Sequence, residues 1–453
     1  MSLDTATAPV SPATAGPPRP SLTRHPLRGE VLRGFAPVAG SAMLLMLLVA
    51  LGVSAEQWQG GWAETREHLH LTTVLLGVPL ALAAGCWQGG RERRRGTEEL
   101  LASAARGRTA GFVASALPVA LWLAAGYAVA ATAAHLATWY CSMGDRPRLA
   151  TPLTDAAVLV CASLLGQVAG RVVAWRLTAP LLAAAGYVVL GMLDHGNRDT
   201  VRYLSPLADG SLTAVPVWWQ PLVMVAWTGG LAIAAVLACT ARRGLVALLP
   251  LAAAGAAGTL LLQTGDGLWR TDPLAHRQVC DTSTTPDICV NARYAEMLPQ
   301  VRDALSGLTG RLEGVRNVPV RFEDLPGRPG PDEAELPMMT PLGWSVVRGR
   351  LTDPREYAWA AGMMLQGGGE CDATDPRAQR VHDAVEHFLA PSPLSRYFDE
   401  QKAERGEADR AELKKRLAAR ARLTSMGDEE RRAWLSRYFA VRGECDPSVV
   451  PAL

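Results

Sequence analysis

His382, Glu386 and His387 are the residues of this chain whose types and spacing come nearest to metal chemistry. In His382-Asp-Ala-Val-Glu386-His387 a helical His–Glu pair four residues apart could share an ion on one face. A zinc-hydrolase helix needs His-Glu-x-x-His, with the glutamate as general base. Here the histidines are five apart, diverge around a helix, and are followed by no other His. The stretch therefore reads as a solvated helix face, and no metal is expected. Gly343-Trp-Ser345-Val-Val347 lacks the second glycine of a nucleophile elbow. Gly367-Gly-Gly369-Glu370 reads as a flexible loop. No catalytic set assembles, so an enzyme is not expected.

The cysteines carry a different chemistry. Cys280, Cys289, Cys371 and Cys445 form an even set in the C-terminal part of the chain, where an oxidising compartment would permit disulfides. Four cysteines allow three pairings. The preferred one closes a short loop with Cys280–Cys289 and ties the tail inward with Cys371–Cys445. Cys86, Cys141, Cys161 and Cys239 lie in or beside apolar runs and read as small core residues. Lys402, Lys414 and Lys415 are the only lysines, so no Gly-x-x-x-x-Gly-Lys-Ser/Thr phosphate loop exists. ATP would have to be bound by a separate chain, and no cofactor is expected here.

The elements that position these residues follow from where the apolar residues lie. The 453 residues carry a net charge of +2, which gives no basis for nucleic-acid binding, and a mean hydropathy of +0.09. The average hides a lopsided distribution, with the long apolar runs before residue 263 and most charges after it. Residues 1–33 read as a cytoplasmic Pro/Ala/Ser/Thr-rich tail followed, at 24–33, by a basic interfacial segment. The first apolar run begins after Arg33, so no signal peptide is expected. A span needs about 20 apolar residues. Spans are expected near 35–53, 71–88, 111–139, 155–173, 177–193, 219–240 and 244–262, giving a membrane domain over 34–262.

Arginine sets the expected orientation. Arg171 with Arg176, and Arg242 with Arg243, share the side of the arginine-rich 88–109 loop, whereas loops near 54–70, 140–154 and 194–218 mix acids and arginines. The N-terminus is thus expected inside and residues 263–453 outside, across six to seven spans of a plasma-membrane protein. Polar groups in the spans are few: His135, Gln167, Asp194 and His195 read as interfacial or bundle-facing. No buried Asp/Glu/Arg chain of the proton-carrier kind is expected. Small residues at Ala183–Gly186 and Ala252–Gly258 would permit close helix packing, within the chain or in a dimer.

Beyond residue 263 the pattern is mostly helical. Tyr294, Leu298, Val301, Leu305, Leu308 and Leu312 recur at spacings of three and four, with Pro299 disturbing the start. An extended piece at 318–322, a loop at 323–337 and helices at 376–390, 399–423 and 428–441 follow, with Ser425 and Asp428 offering a capping box to the last. Leu394-Ser-Arg-Tyr-Phe398 recurs as Leu435-Ser-Arg-Tyr-Phe439, which suggests a duplicated helix or coincidence. The fold class is mainly α: a polytopic membrane bundle followed by a mostly helical extracytoplasmic domain.

Residues 88–109 stand out as a charged island between two apolar runs. Thr97 is a candidate helix N-cap, Glu98 and Glu99 suit the first turn, and Leu100 and Leu101 follow as a displayed apolar pair. Glu92, Arg95, Gly96, Thr97, Glu99, Leu100, Leu101 and Ser103 resemble the first cytoplasmic loop of ABC-2-type permeases, although Ala104 stands where that family usually has Pro. The resemblance covers about residues 24–262. It implies the membrane subunit of an ABC transporter, an exporter, dimeric or paired with a related permease. A separate ATPase would dock on Arg94, Arg95, Gly96, Thr97, Glu98, Glu99, Leu100 and Leu101. Two other classes stay open: a non-transporting membrane protein presenting its outer domain to a cell-envelope partner, and a membrane-anchored hydrolase with a degenerate metallopeptidase-like domain.

Overall fold

Apolar runs long enough to cross a bilayer become helices because only a helix satisfies its own backbone hydrogen bonds there. A computed structural model describes residues 34–96, 107–173, 175–195, 200–241, 244–339, 345–367, 375–442, 444 and 446–453. Among these residues six helical stretches have the length and apolar composition of membrane spans: Ala36–Val53, Trp62–Gly89, Arg108–Trp139, Ala150–Val172, Gln220–Thr240 and Gly244–Leu268. A seventh apolar stretch, Thr178–Leu193, is shorter. Helix α1 is Ala36–Val53; α2 (Trp62–Thr72) runs through a π-turn at Thr73–Gly77 into α3 (Val78–Gly89). Then come α4 (Arg108–Trp139), α5 (Ala150–Val172), α6 (Thr178–His195), α7 (Gln220–Thr240) and α8 (Leu248–Thr264).

The second of these stretches corrects the sequence reading. Residues 62–70, expected in a loop, are helical and extend the apolar run at 71–88 by more than two turns. The last stretch also runs past the expected end at 262, to Leu268.

Glycine sets the closest crossings. Gly85 and Gly89 on α3 face Gly166 and Gly170 on α5, two small-xxx-small pairs that meet reciprocally. A Cβ would come within 2.0 Å of the Ser163 carbonyl oxygen at Gly85, and within 2.1 Å of the Leu82 carbonyl oxygen at Gly166. Gly40 and Gly126 make a second such crossing between α1 and α4. Around them Met43, Leu47, Leu123 and Leu159 are fully buried. The expected small-residue stretches also pack within the chain: Gly186 lies against Leu82, and Ala254 against Gly230.

Connections gather at the two ends of the bundle. At one end the Met143 amide donates to the Gly60 carbonyl at 3.0 Å, and the Glu296 amide to the Met143 carbonyl at 3.0 Å. This ties the 54–61 and 140–149 loops to the C-terminal unit. At the other end Arg171 faces Glu92 and Thr109 donates to Thr240, joining the starts and ends of α3, α4, α5 and α7.

The C-terminal unit contains a sheet that the sequence reading missed. After β1 (Ala214–Pro216) pairs with β2 (Trp269–Thr271), strands β3 (Gln278–Asp281), β4 (Asp287–Asn291), β5 (Arg321–Glu323) and β6 (Glu333–Glu335) form a four-stranded sheet in that order. β3 and β4 are antiparallel and the other two pairings parallel. Strands of three to five residues are too short to show alternation, and β6 lies within the Pro/Gly/Asp-rich stretch read as loop. Cys280 sits opposite Cys289 in the β3–β4 register and is disulfide-bonded to it. Cys371 and Cys445 lie outside the described residues.

Helix α9 (Leu298–Leu312) buries Val301, Leu305, Leu308 and Leu312 in the core beside Ile288 and Phe322, with Pro299 in its first turn, where a missing N–H costs nothing. Four of the five remaining helices correspond to expected helical stretches: α11 (Pro376–Leu389), α12 (Ser395–Glu404), α13 (Glu407–Ser425) and α14 (Asp428–Ala440). The helix expected over 399–423 is thus two, divided near Gly406. α10 (Pro354–Leu365), capped by Asp353, was not anticipated. The capping box is not formed: Gly427 is the N-cap of α14 and the Ser425 hydroxyl donates to the Arg422 carbonyl. The repeated pentapeptide is no duplicated packing unit either, since Leu394 is 57% exposed and Leu435 fully buried.

Candidate functional site: a buried ionic junction

Helix α2 begins where Gly61 leaves extended backbone, and its first amides are capped from another loop. Asp145, 83 residues after Trp62, accepts from the Trp62 amide at 3.0 Å and from the Ala63 amide at 3.1 Å. An acid at a helix N-terminus satisfies orphan donors and complements the dipole. Glu64 folds back over the same turn, so close to Gly61 that a Cβ there would lie 1.8 Å from its carboxylate.

Glu64 is 2% exposed and reaches across to the C-terminal unit. Its Oε1 accepts from the Tyr294 hydroxyl at 3.0 Å and lies 3.5 Å from the Arg293 guanidinium. Arg293, 4% exposed, is held there because Asn291 caps its turn and accepts from the Arg293 amide. Burial opposes the charge of Arg293, but Tyr294, Glu64, Asp145 and Asp272 around it outweigh that and raise its pKa. Asp145 is pushed up to about 7, chiefly by burial. The Trp62 amide opposes the shift, Glu64 adds to it, and Arg293 and the Ala63 amide oppose it. Burial likewise raises Asp324, against the Asn291 amide and Arg293. A buried ion pair of this kind adds little net stability, but removing one partner strands the other, so its main effect is to fix the docking geometry.

The polar face continues down α2. Arg66, 5% exposed, donates from Nη2 to the Ala214 carbonyl at 3.3 Å, while its Nε has no partner. His70, one turn further, places Nδ1 2.7 Å from Asp155 of α5, and the Tyr127 hydroxyl of α4 donates to the other Asp155 oxygen at 3.4 Å. Thr73, fully buried with an unpartnered hydroxyl, opens the π-turn. π-turns often mark functional positions in helices. The buried ionisable groups Glu64, Arg66, His70 and Asp155 were not among the few polar span residues the sequence singled out. Residues 62–70 read as a loop because Glu, Arg and His interrupt the apolar pattern. The helical spacing of Arg66, His70 and Thr73 was the available signal.

Beside the junction lies a cleft of about 220 Å³ lined by Trp62, Arg66, Asp145, Arg146, Arg148 and Asp272, among others. Arg148 pairs with Asp272 at 2.8 Å.

The opposite end of the bundle holds the root of the 88–109 loop. A single turn, Arg91–Arg94, follows α3. Arg171 of α5 donates to Glu92 at 3.4 Å and to the Ser115 hydroxyl of α4 at 3.1 Å, and its guanidinium lies 4.6 Å from the Phe112 ring centroid. Gln167, fully buried, donates to the same Ser115 hydroxyl at 2.6 Å. Of the expected docking residues, Arg94 turns back over the Trp87 ring and its carbonyl, while Arg95 and Gly96 are exposed. Thr97, Glu98, Glu99, Leu100 and Leu101 lie outside the described residues.

Other expected features disperse. His382 bonds the Tyr438 hydroxyl at 2.6 Å, and Glu386 accepts from the Trp359 indole at 2.5 Å. No group of three or more potential metal ligands occurs among the described residues. His135 meets its own helix at the Ala131 carbonyl. Gly343, residues 368–371 and the side chains of Asp194 and His195 lie outside the described residues. Comparison with protein-family models, curated proteins and solved structures finds no match.

Proposed function

We propose that this chain is the membrane subunit of an ABC-type transporter, an exporter, driven by a separate ATPase that docks on the 88–109 loop. The observation that carries the reading is how the root of that loop is fastened. Arg171 joins Glu92 to α4 and α5, and Arg94 lies on Trp87 of α3. A displacement of the loop would therefore be handed to three helices together, two of which cross through glycine contacts too close to slip independently. The 88–109 loop would face the cytoplasm and the C-terminal unit the exterior, as the arginine distribution favours. The subunit would act as a homodimer or beside a related permease.

The test is affinity purification of the intact protein from detergent, compared with a Glu98→Arg/Leu101→Arg double mutant. An ATPase chain should accompany the wild type in mass spectrometry and vanish with the folded mutant. Absence of an ATPase from both preparations overturns the reading.

A further inference from the structure

The cleft at the junction has an electrostatic remainder that the protein itself does not use. Its two carboxylates are committed. Both oxygens of Asp145 accept backbone amides at the start of α2. Asp272 pairs with Arg148 and accepts from the Leu274 amide at 3.1 Å. Two lining guanidinium groups are left with capacity. Arg66 is almost fully buried and its Nε has no hydrogen-bond partner. Arg146 is exposed at the mouth of the cleft. A buried N–H without a partner is costly, and the guanidinium plane is suited to oxyanions held by two bonds. Leu212, Val215, Leu274 and Trp62 supply an apolar wall.

We propose that this cleft binds a phosphate group, held between Arg66 and Arg146, with the Trp62 side receiving the less polar remainder of the ligand. The phosphate can arrive on a lipid headgroup or as a free anion, and its chemistry in the cleft is the same. No bond is made or broken. The inference rests on the cleft and its arginines and not on the presence of an ATPase.

Purified full-length protein in a neutral detergent would be titrated calorimetrically with inorganic phosphate and, separately, with dihexanoylphosphatidic acid. Saturable binding of either probe is expected. Binding of the lipid alone assigns the source to headgroups; binding of inorganic phosphate assigns it to the free anion. Arg146→Gln, at an exposed position where folding is not at stake, should weaken the bound probe by about tenfold or more. Arg66→Gln, checked by its elution as a folded species, should abolish binding. No saturable binding to the wild type, or binding unchanged in Arg146→Gln, overturns the proposal.

Discussion

At the scale of single residues, Asp145 carries the sharpest consequence. Its carboxyl sits between two backbone amides, Glu64 and Arg293, and shares the cleft with Arg66, Arg146, Arg148 and Asp272. Its pKa in the folded protein, about 7, lies above the ordinary value of 3.8. The folded state thus keeps a proton that the unfolded chain gives up. The stability this contributes is complete below about pH 4 and is lost as the pH rises through about 7. Thermal unfolding of purified protein from about pH 5 to about pH 8.5 should show stability falling up to about pH 7 and levelling above it. In Asp145→Asn that slope should flatten, with a baseline loss of about 1 kcal/mol from the weakened helix cap. An unchanged slope in the variant would assign the titration to another group.

At the scale of elements, the crossing of α3 and α5 depends on the absence of side chains. A leucine at Gly166 would drive its Cβ to 2.1 Å from the Leu82 carbonyl oxygen, a backbone atom that cannot swing away. Gly166→Leu should therefore separate the helices and cost about 3 kcal/mol or more. Gly255→Leu, where no atom lies within 4 Å, should leave stability unchanged. Unfolding of both variants in mixed micelles distinguishes them, and equal stability would remove the crossing from its structural role. Gly85-x-x-x-Gly89 and Gly166-x-x-x-Gly170 are visible in the sequence as patterns, but which helix each faces is not. In the C-terminal unit the converse holds. The three-and-four spacing along α9 announces its buried face, whereas β5 and β6 are stabilised by neighbours and leave no local signature.

At the scale of the whole molecule, the loops at 54–61 and 140–149 meet the C-terminal unit at one end, and the 88–96 segment meets the ends of α4, α5 and α7 at the other. Six helical stretches of span length and the shorter α6 run between these ends. On the proposed orientation, a membrane-impermeant maleimide should label Glu429→Cys on intact cells and Arg95→Cys only after permeabilisation, in a background lacking other free cysteines. Labelling of both from one side would refute an odd number of crossings, and the reverse pattern would invert the orientation.

The sequence by itself determined the long apolar runs between residues 36 and 264 and the apolar phase of α9, and favoured the cysteine pair of β3 and β4. Each depends on local composition, spacing or proximity along the chain. Only the tertiary structure decided that residues 62–70 are a buried helix. That outcome requires Asp145 to cap its first turn from 83 residues away and Tyr294 to meet Glu64 from 230 residues away. Charged residues in isolation favour water, and they become core residues here because distant partners replace the hydrogen bonds that water would have made.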